Sequence, residues 1–409
     1  MELVNGTYTI QGIDVAEIAQ QFGTPVYVYD GSKIASQIKS LKNAFSDTDV
    51  RIKYAAKALT NVSVLKLVKQ NGAGVDVVSI QEAQLALGAG FTPAEIMFTP
   101  NCVDFDEIIQ GVELGLTVNL DNLSVLEKFG KKYGNTVACC VRLNPHIMAG
   151  GNYKISTGHS NSKFGISVYQ LPEIMQLANK YQIVISGLHI HTGSEITETD
   201  VFLKMAEILF GIARDFPALK FIDFGGGFKV AYKPGDLVTN VYDLGLKLSK
   251  AFKEFYQSYG RKLELWVEPG KYLVSEAGYL IVKTNVVKAT PSLTFAGVDS
   301  GLNHLIRPMM YDAYHEIINA SNPTGTQKVY TVVGNICETD TLGADRKLNE
   351  VREGDLLVFK NAGAYGYSMA SNYNSRLRPA EVLIVNGEAK LIRRRDTLED
   401  LLRGQIDIF

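Results

Sequence analysis

Eight short apolar runs, many β-branched, alternate with longer amphipathic stretches, and this alternation restricts the fold more than any other feature. The runs occupy residues 51–56, 74–79, 95–99, 116–120, 136–143, 184–191, 219–224 and 263–267. The stretches between them carry helical spacing, as in Val62, Leu65 and Val68 after the first run and Ile174, Leu177 and Ala178 before the sixth. Eight strand-helix repeats in roughly 240 residues match a (β/α)₈ barrel of the TIM type. A doubly wound open sheet accommodates the same count. The polar residues separate the two, because Lys57, His191 with Ser194, Gly225, Gly226, Gly227 and Glu268 fall just past the C-terminal ends of the runs. Barrels build their sites on that rim.

After about residue 276 the pattern changes to strands punctuated by turns, as in 279–287, 328–333, 355–359 and 381–385. The expected organisation is an α/β barrel over 30–275 and a mostly β domain over 276–409, with residues 1–29 contributing a strand to the latter. The Gly-, Ser- and Asn-rich segment 150–162 reads as an inserted loop, and Tyr153, Lys154 and His159 suggest a lid over the rim.

Composition excludes several classes. Lys and Arg total 41 against 43 acidic residues, so the net charge of −2 draws the whole chain to neither nucleic acid nor an anionic membrane. The run Arg393, Arg394 and Arg395 reads as a solvated face. Four cysteines cannot form a disulfide framework at this length, and adjacent Cys139 and Cys140 point to opposite faces of one strand. No leader-like or ~20-residue apolar stretch is visible, so the expected setting is the cytoplasm.

Lys57 ends the first run, at the mouth of an apolar barrel where desolvation frees an amine for Schiff-base chemistry; a solvated rim lysine is the plain alternative. The triplet Gly225, Gly226 and Gly227 follows the seventh run, where backbone N–H groups converge on an anion, although a tight turn explains it equally. His189 and His191 share one face of the sixth strand. No carboxylate or cysteine stands at ligand spacing nearby, so no metal is expected. His191 is preferred as a contact to a flat ring, and His189 is as readily a core residue. Cys337 beside Glu338 suits a general acid, against an inert thiol.

These residues belong to longer motifs: Tyr54-Ala55-Ala56-Lys57, Ser162-Lys163-Phe164-Gly165-Ile166, His191-Thr192-Gly193-Ser194, Arg307-Pro308-Met309-Met310-Tyr311, Cys337-Glu338 and Tyr373-Asn374. In this order, from Gly23-Thr24-Pro25 to Pro379-Ala380-Glu381-Val382, the chain resembles the pyridoxal-phosphate enzymes with a barrel and a β domain (the alanine-racemase-like, fold type III architecture). Within them it is most similar to the diaminopimelate decarboxylases.

The resemblance implies pyridoxal 5′-phosphate as cofactor, held covalently by Lys57 and stacked on His191. Ser194, the amides of Gly225, Gly226 and Gly227 and the backbone at Gly270 would take the phosphate, with Tyr373 also reaching cofactor and substrate. Glu268 would keep the pyridine nitrogen protonated. Cys337 would return a proton to the carbon that loses carbon dioxide. Arg307 and Tyr311 would bind the remote carboxylate of meso-2,6-diaminopimelate and Glu338 its remote ammonium, giving L-lysine in the last step of lysine biosynthesis. Cys337 and Glu338 would enter from the partner subunit of a homodimer.

One departure stands out. The family pattern usually has arginine where this chain has Lys271, which leaves a point charge without a planar fork toward the substrate. Rival readings are a decarboxylase of ornithine, arginine, lysine or carboxynorspermidine on the same fold, an amino-acid racemase, which Glu268 opposes, and a non-catalytic pyridoxal-phosphate-binding protein, which retention of Lys57 and Cys337 opposes.

Overall fold

The computed structural model describes residues 1–147, 157–159 and 161–409. Most of the expected loop and lid, including Tyr153 and Lys154, lies outside the described residues. The chain divides into two compact units, one formed by Ala35–Ala231 and Leu237–Leu273, the other by Met1–Ile34, Tyr232–Asp236 and Val274–Phe409.

The first unit is a closed parallel barrel. Its strands are β1 (Val50–Ala55), β2 (Gly74–Val77), β3 (Ile96–Phe98), β4 (Thr117–Leu120), β5 (Ala138–Asn144), β6 (Val184–Ile190), β7 (Phe221–Asp223) and β8 (Glu264–Val267). Each pairs in parallel with the next, and β8 returns to β1 through Leu265 opposite Val50 and Val267 opposite Ile52. An open doubly wound sheet is thereby excluded. Local chemistry starts the helices promptly after the strands. Asn61, Ser79, Asp104, Asn122 and Asn240 each cap a helix by accepting from a backbone N–H of its first turn. The helices then turn an apolar stripe inward, as with Val64, Leu65 and Val68.

Inside the barrel, Phe221 and Trp266 stack with ring centroids 3.7 Å apart and pack with Met97 and Cys140 to form the floor. Lys53 lies over Trp266 at 4.2 Å and donates to the carbonyl of Glu95 at 3.0 Å. Above this floor the interior is polar, with Asp76, Asn119, Arg142, His189 and Asp223 all buried. The apolar interior assumed for Lys57 is therefore corrected: alternation along each strand places these side chains on the inner face, a pattern a single run does not reveal.

The second unit is built on mixed sheet. Its central strand Gly278–Ala289 pairs antiparallel with Val26–Asp30, with Thr294–Val298 and with Leu356–Phe359, while Val26–Asp30 also pairs in parallel with Ala380–Val385. Its apolar core gathers Ile10, Val15, Ile18, Val26, Val28, Ile281, Val358, Val382 and Ile384. The arginine run is not a free solvated face. Arg393 pairs with buried Glu381, Arg394 with Asp400, and Arg395 donates to the carbonyl of Pro25 at 2.7 Å. Glu381 has no exposed surface, so an uncompensated charge there would be costly and the guanidinium is drawn in to balance it.

Candidate active site

Lys57 sits in a one-turn 3₁₀ helix, Ala56–Ala58, directly after β1, and is exposed at the barrel mouth. Its charge is felt by Asp76, Glu82 and Glu268. Burial lowers the Lys53 pKa to about 8 against the pull of Asp223, Glu264 and Glu95. Lys53 belongs to the floor, at the end opposite the C-terminal rim, so its shift reflects packing rather than reactivity.

Glu268 follows β8 and is buried. Its Oε2 stands 3.1 Å from Nε2 of His189 on β6, while its Oε1 has no protein partner. Burial pushes the Glu268 carboxyl up, but the contact with His189 and the Lys57 charge outweigh this and hold it well below the usual carboxylate range. Asp76 and Asp223 go the other way. Desolvation, reinforced by the nearby Glu268 charge, raises both far above an ordinary aspartate. The barrel thus favours the charged form of Glu268 and disfavours that of Asp76 and Asp223, the separation expected when like charges share a buried space.

His191 is partly buried, and Nδ1 of its ring accepts from the Gly226 N–H at 3.3 Å. Burial, then Arg142 and Lys57, lowers its pKa well below the ordinary histidine value, so the ring is neutral with its proton on Nε2. The Gly225 N–H donates to Asp223 Oδ1 at 2.8 Å. Two of the three amides expected to hold an anion therefore have partners within the barrel. The triplet is also demanded by packing: a Cβ at Gly226 would stand 2.2 Å from the Glu268 carbonyl oxygen, and one at Gly227 would stand 2.6 Å from that of Gly193. The loops after β6, β7 and β8, which carry Ser194, the triplet and Gly270, meet at these backbone contacts. Lys271, buried beside Gly270, forms an ion pair of 2.8 Å with Glu195, the residue after Ser194.

In the second unit, Arg307 opens the short helix Arg307–Tyr311 and is buried. Its guanidinium lies 5.4 Å from the Tyr232 ring and 5.9 Å from the Tyr311 ring, and its Nε has no partner. The Tyr232 hydroxyl, 3.0 Å from the Ser275 hydroxyl, is 3.5 Å from Arg307 Nη2. Cys337, Glu338, Tyr373 and Asn374 form an exposed cluster on the same unit. Asn374 Nδ2 lies 3.2 Å from Cys337 Sγ, Glu338 Oε2 is 3.6 Å from it, and the Tyr373 hydroxyl donates to Glu338 Oε1. That hydrogen bond lowers the Glu338 carboxyl and raises the Tyr373 phenol.

Sequence reading assigned no role to Asp76, Arg142, Asp223 or Tyr232, quoted Asn374 only as part of a motif, and left His189 undecided. Asp223, two residues before the glycine triplet, was the one local signal. Although no carboxylate stands at ligand spacing along the chain, the fold brings two beside His189: among the described residues His189, Asp223 and Glu268 have ligand-capable atoms within 4.8 Å of one another. They come from β6, β7 and the turn after β8, so no spacing rule along the chain reports them.

Residues 31–275 match the family described as pyridoxal-dependent decarboxylase, pyridoxal binding domain. The chain is 38% identical to a diaminopimelate decarboxylase of Methanothermobacter thermautotrophicus, over 98% of this chain and 96% of that one. A Bacillus subtilis diaminopimelate decarboxylase is 35% identical over 98% and 95%. Among solved structures, an M. jannaschii diaminopimelate decarboxylase in complex with L-lysine superposes with a TM-score of 0.92 at 32% identity, covering 99% of this chain and 97% of that one. The residues fit the cofactor such a family requires: a buried ionised oxygen without a partner, a neutral flat imidazole and a lysine share the mouth of one barrel. By sequence match over nearly its whole length, by its barrel and by this set of side chains, the chain belongs to the diaminopimelate decarboxylase family of pyridoxal-dependent decarboxylases.

Proposed function

We propose that this protein decarboxylates meso-2,6-diaminopimelate to L-lysine and carbon dioxide, as a cytoplasmic homodimer whose active site is shared between subunits. The observation that carries the reaction type is the buried, ionised Glu268 with one oxygen left open. When bound, pyridoxal phosphate supplies an electron sink for the pair left behind as carbon dioxide departs. Glu268 Oε1 is suited to hold a proton on the pyridine nitrogen, which a neutral group in its place would not do. Lys57 would carry the cofactor, with the neutral His191 ring as its flat contact. Ser194, Gly227 and Gly270, with Gly225 and Gly226 sharing their amides, enclose its phosphate, and residues 30–275 form its binding domain.

The substrate's remote end is read by Arg307 and Tyr311. A buried guanidinium with an unused Nε and, among the described residues, no carboxylate paired with it is built to receive one from a ligand. Glu338, held ionised by Tyr373, matches the remote ammonium, and Cys337 returns a proton to the α-carbon. The exposure of Cys337, Glu338 and Tyr373 supports their meeting a second subunit, which would withdraw the acid from water. Among the described residues no helix is long and apolar enough to cross a membrane.

The test is carbon dioxide release by the purified protein with pyridoxal phosphate, offered meso-diaminopimelate, L-ornithine, L-arginine, L-lysine and carboxynorspermidine in parallel. Release from diaminopimelate alone is expected. Release from a substrate without the second carboxylate overturns the role of Arg307, and no release from any substrate overturns the catalytic reading.

A further inference from the structure

Lys271 stands where the substrate's carboxylate was expected to find a cation, yet its ammonium is committed elsewhere. It is 7% exposed and lies 2.8 Å from Oε1 of Glu195, which is itself only 24% exposed. A point charge already paired with a carboxylate presents a weaker field to a second carboxylate. The pair's position is more informative than its charge. Glu195 directly follows Ser194 after β6, and it has a positive φ of 68°, uncommon for a residue with a side chain. The next residue, Ile196, donates its N–H to the Gly227 carbonyl at 2.9 Å. Lys271 directly follows Gly270 after β8, where the Leu273 N–H closes a turn onto the Gly270 carbonyl at 3.1 Å. The ion pair therefore ties together two loops that both carry residues assigned to the cofactor's phosphate.

We propose that Lys271 and Glu195 form an electrostatic strut that positions Ser194 and Gly270 for the phosphate, and that Lys271 is a positioning residue rather than the substrate's carboxylate ligand. This rests on the cofactor reading above. Both ends lie beside backbone that must meet the anion at hydrogen-bond distance, so loss of either end loosens the same cradle. Lysine suits a single-point tie of this kind, since no bidentate fork is required.

The experiment titrates pyridoxal phosphate into apoprotein of the wild type, Lys271→Met, Glu195→Gln, the double variant and the charge swap Lys271→Glu with Glu195→Lys. Cofactor absorbance gives affinity, and thermal melting checks that each variant is folded. Each single change is expected to weaken cofactor affinity about tenfold, the double variant no more than either single, and the swap to recover most of the loss. The KM for diaminopimelate, measured with cofactor saturating, should stay within about twofold of wild type. A KM that rises in Lys271→Met but not in Glu195→Gln, with cofactor affinity unchanged, overturns the strut and returns Lys271 to the substrate. Wild-type protein that fails to bind pyridoxal phosphate overturns the cofactor reading itself, whereas normal binding by wild type and every variant overturns only the strut.

Discussion

His189 Nε2 and Glu268 Oε2 stand 3.1 Å apart, with both side chains withdrawn from water and the second Glu268 oxygen left unpaired. A buried carboxylate stays ionised only when its surroundings replace lost hydration, and His189 provides a direct hydrogen bond to it. His189→Leu should therefore raise the Glu268 pKa. The check is the acid limb of the kcat profile, which is expected to move to higher pH in the variant and would stay in place if Lys57 alone held the charge.

Glu268→Gln removes the charge while keeping the shape. The rate is expected to fall about 10² to 10³-fold, the scale seen when an electrostatic group at a reacting system is neutralised. Acid stability should change as well. The folded Glu268 pKa lies below that of an unfolded glutamate, near ~4.3, so its stabilisation is present above that value and disappears as pH falls through the folded one. The variant's stability should therefore depend less steeply on pH on the acid side, as measured by denaturant titration from neutral pH downward.

Asp223 has the opposite sign. Its folded pKa is raised, so the native state keeps a proton that an unfolded aspartate gives up above ~3.9, and stability declines as pH rises from there toward the folded pKa. Asparagine retains an acceptor for the Gly225 N–H and mimics the protonated acid. Asp223→Asn should gain a few degrees in Tm at pH 8 and little at pH 4. Melting curves across that range test it, and a gain independent of pH would contradict a protonated Asp223.

Arg307→Ala should lower kcat/KM for diaminopimelate about a hundredfold, and Arg307→Lys should recover little because a fork is replaced by a point charge. Steady-state kinetics with both variants decide this. Full activity of Arg307→Lys would mean that charge alone suffices.

Gly187→Ala probes the barrel floor. An added Cβ would stand 2.1 Å from Phe221 Cζ, inside a ring already stacked on Trp266. Overpacking of this kind costs about 1 to 3 kcal/mol. Denaturant unfolding should show that loss, and an unchanged midpoint would indicate that the Phe221 and Trp266 stack moves freely.

The barrel was legible because strand and helix periods are local properties of a few consecutive residues, and the eight runs coincide with β1 to β8 to within a few positions. Lys57, His191, the glycine triplet and Glu268 were visible too, since each ends a run and the C-terminal ends of parallel strands share one rim. The polar interior was not. Asp76, His189 and Asp223 each read alone as an isolated polar residue in an apolar strand.

What the amino-acid order determined by itself was the alternation that closes the barrel, the rim position of the catalytic candidates and the change to β structure near residue 276, because hydrophobic periodicity and turn chemistry act over short stretches. Only the tertiary structure decided which acids carry charge and which cation is already balanced. Those properties depend on burial and on partners from other strands, as with Glu268 beside His189 and Lys271 beside Glu195, and neither is a function of distance along the chain.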